Sequence, residues 1–201
     1  MRKIALLILP LIMSLTVRSQ SAQEYFDRGD ANYELKNYSG AIVDFTKVID
    51  IDPNNLKAYF YRGNTKRDLK DFRGAITDLN KVIEIDSKYA AAYRYRGLAK
   101  YDLQDYYGAI SDFTNAIENN PNDSKAYFYR GGSKFKLNDF SGAISDYTNN
   151  IIIEPNNAKA YFSRGMTKIV LKQKDSGCLD FSKAGELGDS EAYDAINRYC
   201  Q

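Results

Sequence analysis

Histidine and tryptophan are absent from the 201 residues, cysteine occurs twice and proline four times. Each shortage excludes something. Without histidine the chain lacks the commonest general base and the commonest metal ligand. Two cysteines fall short of a zinc site built from thiolates and histidines. No glycine-rich phosphate loop and no metal-ligand cluster occurs. Carboxylates are plentiful, but they recur at fixed intervals or lie in polar turns. The sequence therefore predicts no catalytic residue, no metal and no cofactor.

Long apolar runs are also scarce. The one that exists is N-terminal, from Ile4 to Val17, preceded by Arg2 and Lys3 and broken by Pro10. A basic start followed by about 14 mostly apolar residues has the form of a secretory signal peptide, shorter than the roughly 20 residues of a membrane span. Residues 1–21 are read as that signal, with cleavage between Ser19 and Ala22; retention as an anchor is the other reading. No cysteine lies nearby, which excludes a lipid-anchored form. Losing residues 1–19 removes Arg2, Lys3 and Arg18 and leaves 25 basic against 26 acidic residues. The basic excess belongs to the signal, so nothing in the charge favours nucleic acid. The expected location is exported, periplasmic or secreted, with no membrane span after signal removal.

What the chain has is repetition. YFDRG, YFYRG, YRYRG, YFYRG and YFSRG begin at Tyr25, Tyr59, Tyr93, Tyr127 and Tyr161, each 34 residues after the last. SGAIVDF, RGAITDL, YGAISDF and SGAISDY repeat at Ser39, Arg73, Tyr107 and Ser141, and a divergent DSGCLDF follows at Asp175. A fixed period of this length marks a stacked repeat architecture. Spacings of three and four, such as Tyr59–Arg62–Lys66–Leu69 and Ala75–Leu79–Val82, predict two helices per unit. Turns such as LKD at Leu69 separate them, and Pro53, Pro121 and Pro155 fall between units.

This pattern resembles the tetratricopeptide repeat: aromatic, Gly, then Ala with a large residue four positions on, then Pro. Tyr127, Gly131, Ala143, Tyr147 and Pro155 follow it; Lys66, Lys100, Lys134 and Lys168 depart from it where the family prefers Tyr. The resemblance implies an all-α fold, a right-handed α-solenoid of five helix–turn–helix units over 22–55, 56–89, 90–123, 124–157 and 158–190. A capping helix over 191–201 would close the stack, with Ala192, Ile196 and Tyr199 on its apolar face. The ELGDSEA stretch before it resembles the end of many bacterial tetratricopeptide and Sel1-like proteins.

Two constellations recur or pair. Arg28, Arg62, Arg96, Arg130 and Arg164 precede the recurring Gly, and Asp44, Asp78, Asp112, Asp146 and Asp180 stand sixteen residues later. A constant offset points to a structural Arg–Asp pair more than to an anion-binding ladder. Cys178 occupies the slot of Ile42, Ile76, Ile110 and Ile144, expected to be buried, and Cys200 lies in the capping stretch. In an exported protein the two form a disulfide or remain buried thiols; without His neither is an activated nucleophile.

The family resemblance implies that the first helix of each unit lines a concave groove for a peptide or protein segment. Rows that share this face are Phe26, Phe60, Arg94, Phe128, Phe162, then Asp30, Asn64, Leu98, Gly132, Met166, then Tyr33, Arg67, Tyr101, Phe135, Ile169. Lys57, Lys125 and Lys159 extend it. The candidate groove residues are Lys57, Phe60, Asn64, Arg67, Arg94, Leu98, Tyr101, Lys125, Phe128 and Phe135, an aromatic surface with a basic edge. The carboxylate clamp of chaperone-binding members is absent: those slots hold Phe26, Asp30, Tyr61, Ala91 and Tyr95. The expected function is a non-catalytic interaction scaffold. Alternatives are end-to-end self-association and binding of cell-wall glycan.

Overall fold

The structure is a computed structural model that describes residues 21–201; the signal-peptide reading falls on residues outside this range, Ser21 excepted. The described residues form α1 (Ala22–Glu34), α2 (Tyr38–Ile51), α3 (Leu56–Asp68), α4 (Phe72–Ile85), α5 (Ala90–Asp102), α6 (Tyr106–Asn119), α7 (Ser124–Lys136), α8 (Phe140–Ile153), α9 (Ala158–Val170), α10 (Lys174–Glu186) and α11 (Glu191–Tyr199). They are helical throughout, paired as helix–turn–helix.

The turn inside each unit is written into three residues. The first helix ends at a leucine, the next residue takes the left-handed conformation, and the residue after it caps the second helix, Asn or Asp in the first four units and Gln173 in the fifth. Lys36, Lys70, Gln104, Asn138 and Lys172 occupy that left-handed position, with φ of 59° to 63°. In four of the units Asn37, Asp71, Asp105 and Asp139 accept a hydrogen bond from the backbone N–H three residues on. The chain starts on a capping box between Ser21 and Glu24.

Each helix packs on the next, and the first helices of neighbouring units also touch: α1 with α3, α3 with α5, α5 with α7, α7 with α9. That places the odd-numbered helices on the inside of the curve. Between the two helices of a unit lies one large core residue, Phe45, Leu79, Phe113, Tyr147 or Phe181, all 4% exposed or less. The recurring Gly makes room for it: a Cβ on Gly97 would sit 2.8 Å from the Phe113 ring. The small residue is therefore set by the large side chain opposite, as well as by the closely crossing helix.

The recurring Arg and Asp are paired within each unit. Arg62 Nη2 donates to Asp78 at 2.7 Å, as does Arg130 to Asp146 and Arg164 to Asp180. Each of these arginines also reaches the preceding unit, donating through Nη1 to Thr46, Thr114 or Thr148; Arg96 reaches Asn80 in the same way. The lysines that depart from the family pattern have a reason too. Lys66, Lys100, Lys134 and Lys168 each place Nζ 2.8 Å from the same buried Asp. In the first unit Asn32 takes that place on Asp44. Each Arg also lies over the Tyr three residues before it, at 5.0 to 5.5 Å. The recurring Tyr, Arg and Gly are thus three parts of one joint.

At the C-terminal end Cys178 and Cys200 form a disulfide, with Cα atoms 5.8 Å apart. Two details of the expectation change. The Cys178 slot is half-buried in every unit, because Ile42, Ile76, Ile110 and Ile144 sit on the shoulder of their helix and Ala and Asp point inward. Cys200 caps α11 from just beyond its end. That helix buries Ala192 and Ala195, its small residues, against α10, and leaves Ile196 and Tyr199 half-buried.

Candidate functional site

Two adjoining hollows lie on the inner face, mainly over the last three units, with Arg67 of the second unit at one edge. The first, of about 320 Å³, is walled by Arg67 from α3, Arg94 and Leu98 from α5, and Lys125 and Phe128 from α7; Asn150, Glu154, Asn157 and Lys159 close it from the α8–α9 junction. The second, of about 490 Å³, is framed by Phe128, Lys159 and Phe162, and by the loop from Leu187 into α11. Phe128 and Lys159 belong to both, so they form the ridge between them.

Of the ten residues expected on this surface, the structure gathers Arg67, Arg94, Leu98, Lys125 and Phe128 around the first hollow. The others lie elsewhere. Phe60 is packed between units, edge-on against Tyr61 and Tyr95 and beside Tyr89. Tyr101 meets Tyr106 and Tyr129, and Phe135 meets Phe140. Phe60 and Tyr101 reach the next unit and Phe135 turns onto the second helix of its own, because a first helix has neighbours on several sides and only a narrow strip left for the groove. Lys57 is exposed beside a small hollow with Phe26 at the N-terminal end. Asn64 is buried, and its Oδ1 accepts no hydrogen bond among the described residues.

The basic edge also differs from expectation. Arg94 is bonded to Asp123 at 2.8 Å and Arg67 to Asp68 at 2.9 Å. Both guanidinium groups lie over the ring of Tyr95, at 4.6 and 5.2 Å. These arginines are structural fixtures of the wall. The cations left are Lys125 and Lys159, both exposed and without an ion-pair partner among the described residues.

Beneath them is a polar cluster. Asn150, 1% exposed, donates to the carbonyl of Ser124 at 2.8 Å and accepts from Asn157 at 2.9 Å. The Ser124 hydroxyl donates to Glu154 at 2.6 Å. A signal for these residues was present in the repeat. Where Asn150 stands, the other units have Val48, Val82, Ala116 and Ala184; where Ser124 stands, they have Ala22, Leu56, Ala90 and Ala158. A search for shared features passes over such departures.

Comparison with known proteins agrees with this architecture. Models of the TPR repeat match residues 29–66 and 63–104, and a model of the tetratricopeptide repeat matches 96–157. The chain belongs to the tetratricopeptide repeat family. Proteins of this family are generally non-catalytic interaction scaffolds that bind protein or peptide partners. Among solved structures, the MamA protein is 29% identical with a TM-score of 0.77, covering 86% of this chain and 94% of its own. MamA from Desulfovibrio magneticus RS-1 is 17% identical with a TM-score of 0.79, covering 84% and 96%. YrrB, described as a TPR protein with an unusual peptide-binding site, is 18% identical with a TM-score of 0.75, covering 88% and 92%. No curated protein matches the chain. Among the described residues no helix is long and apolar enough to cross a membrane, and no group of His, Cys, Asp or Glu is placed to hold a metal ion.

Proposed function

We propose that this tetratricopeptide-repeat chain is an exported scaffold that binds an extended segment of a partner protein along the inner face of its last three units. The observation that carries the reading is the pair of hollows joined at Phe128 and Lys159, with a half-buried ring and unpaired ammonium groups side by side. An aromatic anchor next to a polar rim is the ordinary anatomy of a binding hot spot. Two adjoining hollows of this size have room for a few consecutive side chains, which suits an extended peptide. The basic, apolar N-terminal stretch supports the export reading, and a disulfide is at home in an oxidising compartment.

A photo-crosslinking phenylalanine derivative placed at Phe162, and separately at exposed Val43 on α2, tests the site. The expected result is a partner captured from the exported fraction at Phe162 and not at Val43. Equal capture at both positions would remove the groove from the reading. Capture of this chain by itself at Val43 alone would replace it with self-association. Export is tested by N-terminal sequencing of the protein made from its own gene: a mature start between Ser19 and Gln23 is expected, and an intact Met1 overturns it.

A further inference from the structure

The five units are internal controls for one another: a position that serves the stack stays constant, and a position that departs in one unit serves something else. Unit four departs toward polar or small at four positions of its core and inner face, while at exposed Ile152 it departs the other way, replacing Asp50, Glu84, Glu118 and Glu186. Tyr147 stands where the other units have Phe45, Leu79, Phe113 and Phe181. Asn150 and Ser124 replace Ala, Val or Leu, and Gly132 stands where Asn64, Leu98 and Met166 carry side chains. Asn150 and Tyr147 are buried, so their polar atoms are retained against the cost of desolvation. The bonds from Asn150 to Ser124 and Asn157, and from Ser124 to Glu154, tie the starts of α7 and α9 to the end of α8. Those two helix starts carry Lys125 and Lys159.

Two ammonium groups without an ion-pair partner among the described residues share this hollow with one carboxylate, Glu154, which leaves an excess of positive charge; each also lies in the positively polarised first turn of a helix, which is unfavourable for the free protein. A rigid polar base that fixes those helix starts pre-organises the arrangement for an anion. The identity of the anion follows from what surrounds it. Arg67 and Arg94, the forked groups suited to a phosphate, are already engaged by Asp68 and Asp123. The lysines remain, as point charges suited to a single carboxylate. The groove also continues on both sides of the Lys159–Phe128 ridge, so the carboxylate sits within a chain and not at its end.

We infer that unit four is the specificity seat of the groove, and that it takes an internal Asp or Glu side chain next to an aromatic or large aliphatic one, the carboxylate between Lys125 and Lys159 and the apolar group against Phe128. This rests on the groove reading above and names its partner chemistry.

The test is fluorescence anisotropy with the full, disulfide-intact chain and labelled peptides of about twelve residues, blocked at both ends. A central Phe is followed by Glu, Gln, Lys or phosphoserine, and one further peptide has a free C-terminal carboxylate and no acidic side chain. The Glu peptide is expected to bind about tenfold tighter than the Gln peptide, with the difference shrinking as salt rises. Lys125→Gln with Lys159→Gln should abolish the difference at an unchanged Tm. Lys125→Glu with Lys159→Glu should reverse it, so that the Lys peptide binds best. Phe128→Ala should weaken all of them alike, and Lys57→Glu none. Binding that ignores the central charge overturns the specificity and leaves the groove reading standing. A preference for phosphoserine or for the free C-terminus over Glu overturns it in favour of that anion. Absence of binding to any peptide, joined with failure of the crosslink at Phe162, removes both readings.

Discussion

A buried charge is stable only as part of its pair, and the five Arg–Asp joints make that testable one residue at a time. Asp112 is 1% exposed and receives Arg96 Nε at 2.9 Å and Lys100 Nζ at 2.8 Å. Removing Arg96 takes away its hydrogen bonds to the carboxylate but leaves Lys100 as the counter-charge, so Arg96→Ala should cost about 2 kcal/mol. The double change with Asp112→Ala should cost less than the two single losses together, measured by urea unfolding; additive losses would show that the pair is not coupled. Asn64 presents the opposite case. Its buried Oδ1 lacks a partner, and its counterparts in the next and last units are Leu98 and Met166. Asn64→Leu should raise stability by about 1 kcal/mol, and a lowered Tm would mean that this carbonyl has a partner in solution.

At the scale of the element, α7 carries two adjacent glycines with different duties. A Cβ on Gly131 would lie 3.0 Å from the Tyr147 ring and 3.3 Å from the Ala143 carbonyl, whereas one on Gly132 meets nothing closer than 3.5 Å. Gly131→Ala should therefore destabilise by about 1 kcal/mol or more through overpacking. Gly132→Ala should stabilise by up to about 1 kcal/mol through helix preference. Thermal melts of the two variants should move in opposite directions. Helix α11 is held by two small buried residues, by Tyr199 against Phe181, and by the disulfide. The bridge closes a separation of 22 residues, for which chain entropy gives about 3 kcal/mol. Cys178→Ser with Cys200→Ser should lower stability by about that much, with faster hydrogen exchange confined to α10 and α11. Exchange that is unchanged there would mean that packing alone holds the cap.

For the whole molecule, the missing histidine shapes the response to pH. With both cysteines bonded, no side chain has an ordinary pKa between the carboxylates and the tyrosines, so stability should be level across the neutral range. At the acid end, Asp44 is held below the usual carboxylate range, chiefly by its hydrogen bond from Arg28. Its stabilisation is present above the unfolded value near 4 and is lost as pH falls. Asp102 works in the other direction, because burial raises it. At the alkaline end, burial pushes Tyr33, Tyr89, Tyr101 and Tyr147 above the ordinary phenol value, with the Asp68 hydrogen bond adding to Tyr33. A raised pKa gives stability that is intact below the unfolded value near 10 and lost as pH rises through the folded one. Melting temperature should thus be flat from about pH 5 to 9 and fall beyond pH 10. Tyr147→Phe, which restores the residue used by three other units, should move the alkaline fall to higher pH. A slope between pH 6 and 8 would contradict this account.

The sequence by itself determined the repeat, the helix pairs, their turns and the Arg–Asp offset, because each depends on residues close in the chain or locked to a period of 34. The same period made Lys66 and its counterparts visible as departures, without saying that they share the Asp with the Arg. Only the tertiary structure decided which faces of the first helices remain open. Phe60, Tyr101 and Phe135 carry the same sequence signal as Phe128, yet they line neither hollow, whereas Phe128, itself packed on Tyr129 and Tyr147, lines both. Arg67 and Arg94 read as free cations until Asp68, Asp123 and the Tyr95 ring are brought beside them. A solenoid joins each helix to elements before and after it, and the groove is what that stacking leaves uncovered. Periodicity states what every unit shares; the site arises where neighbouring units meet and one of them differs.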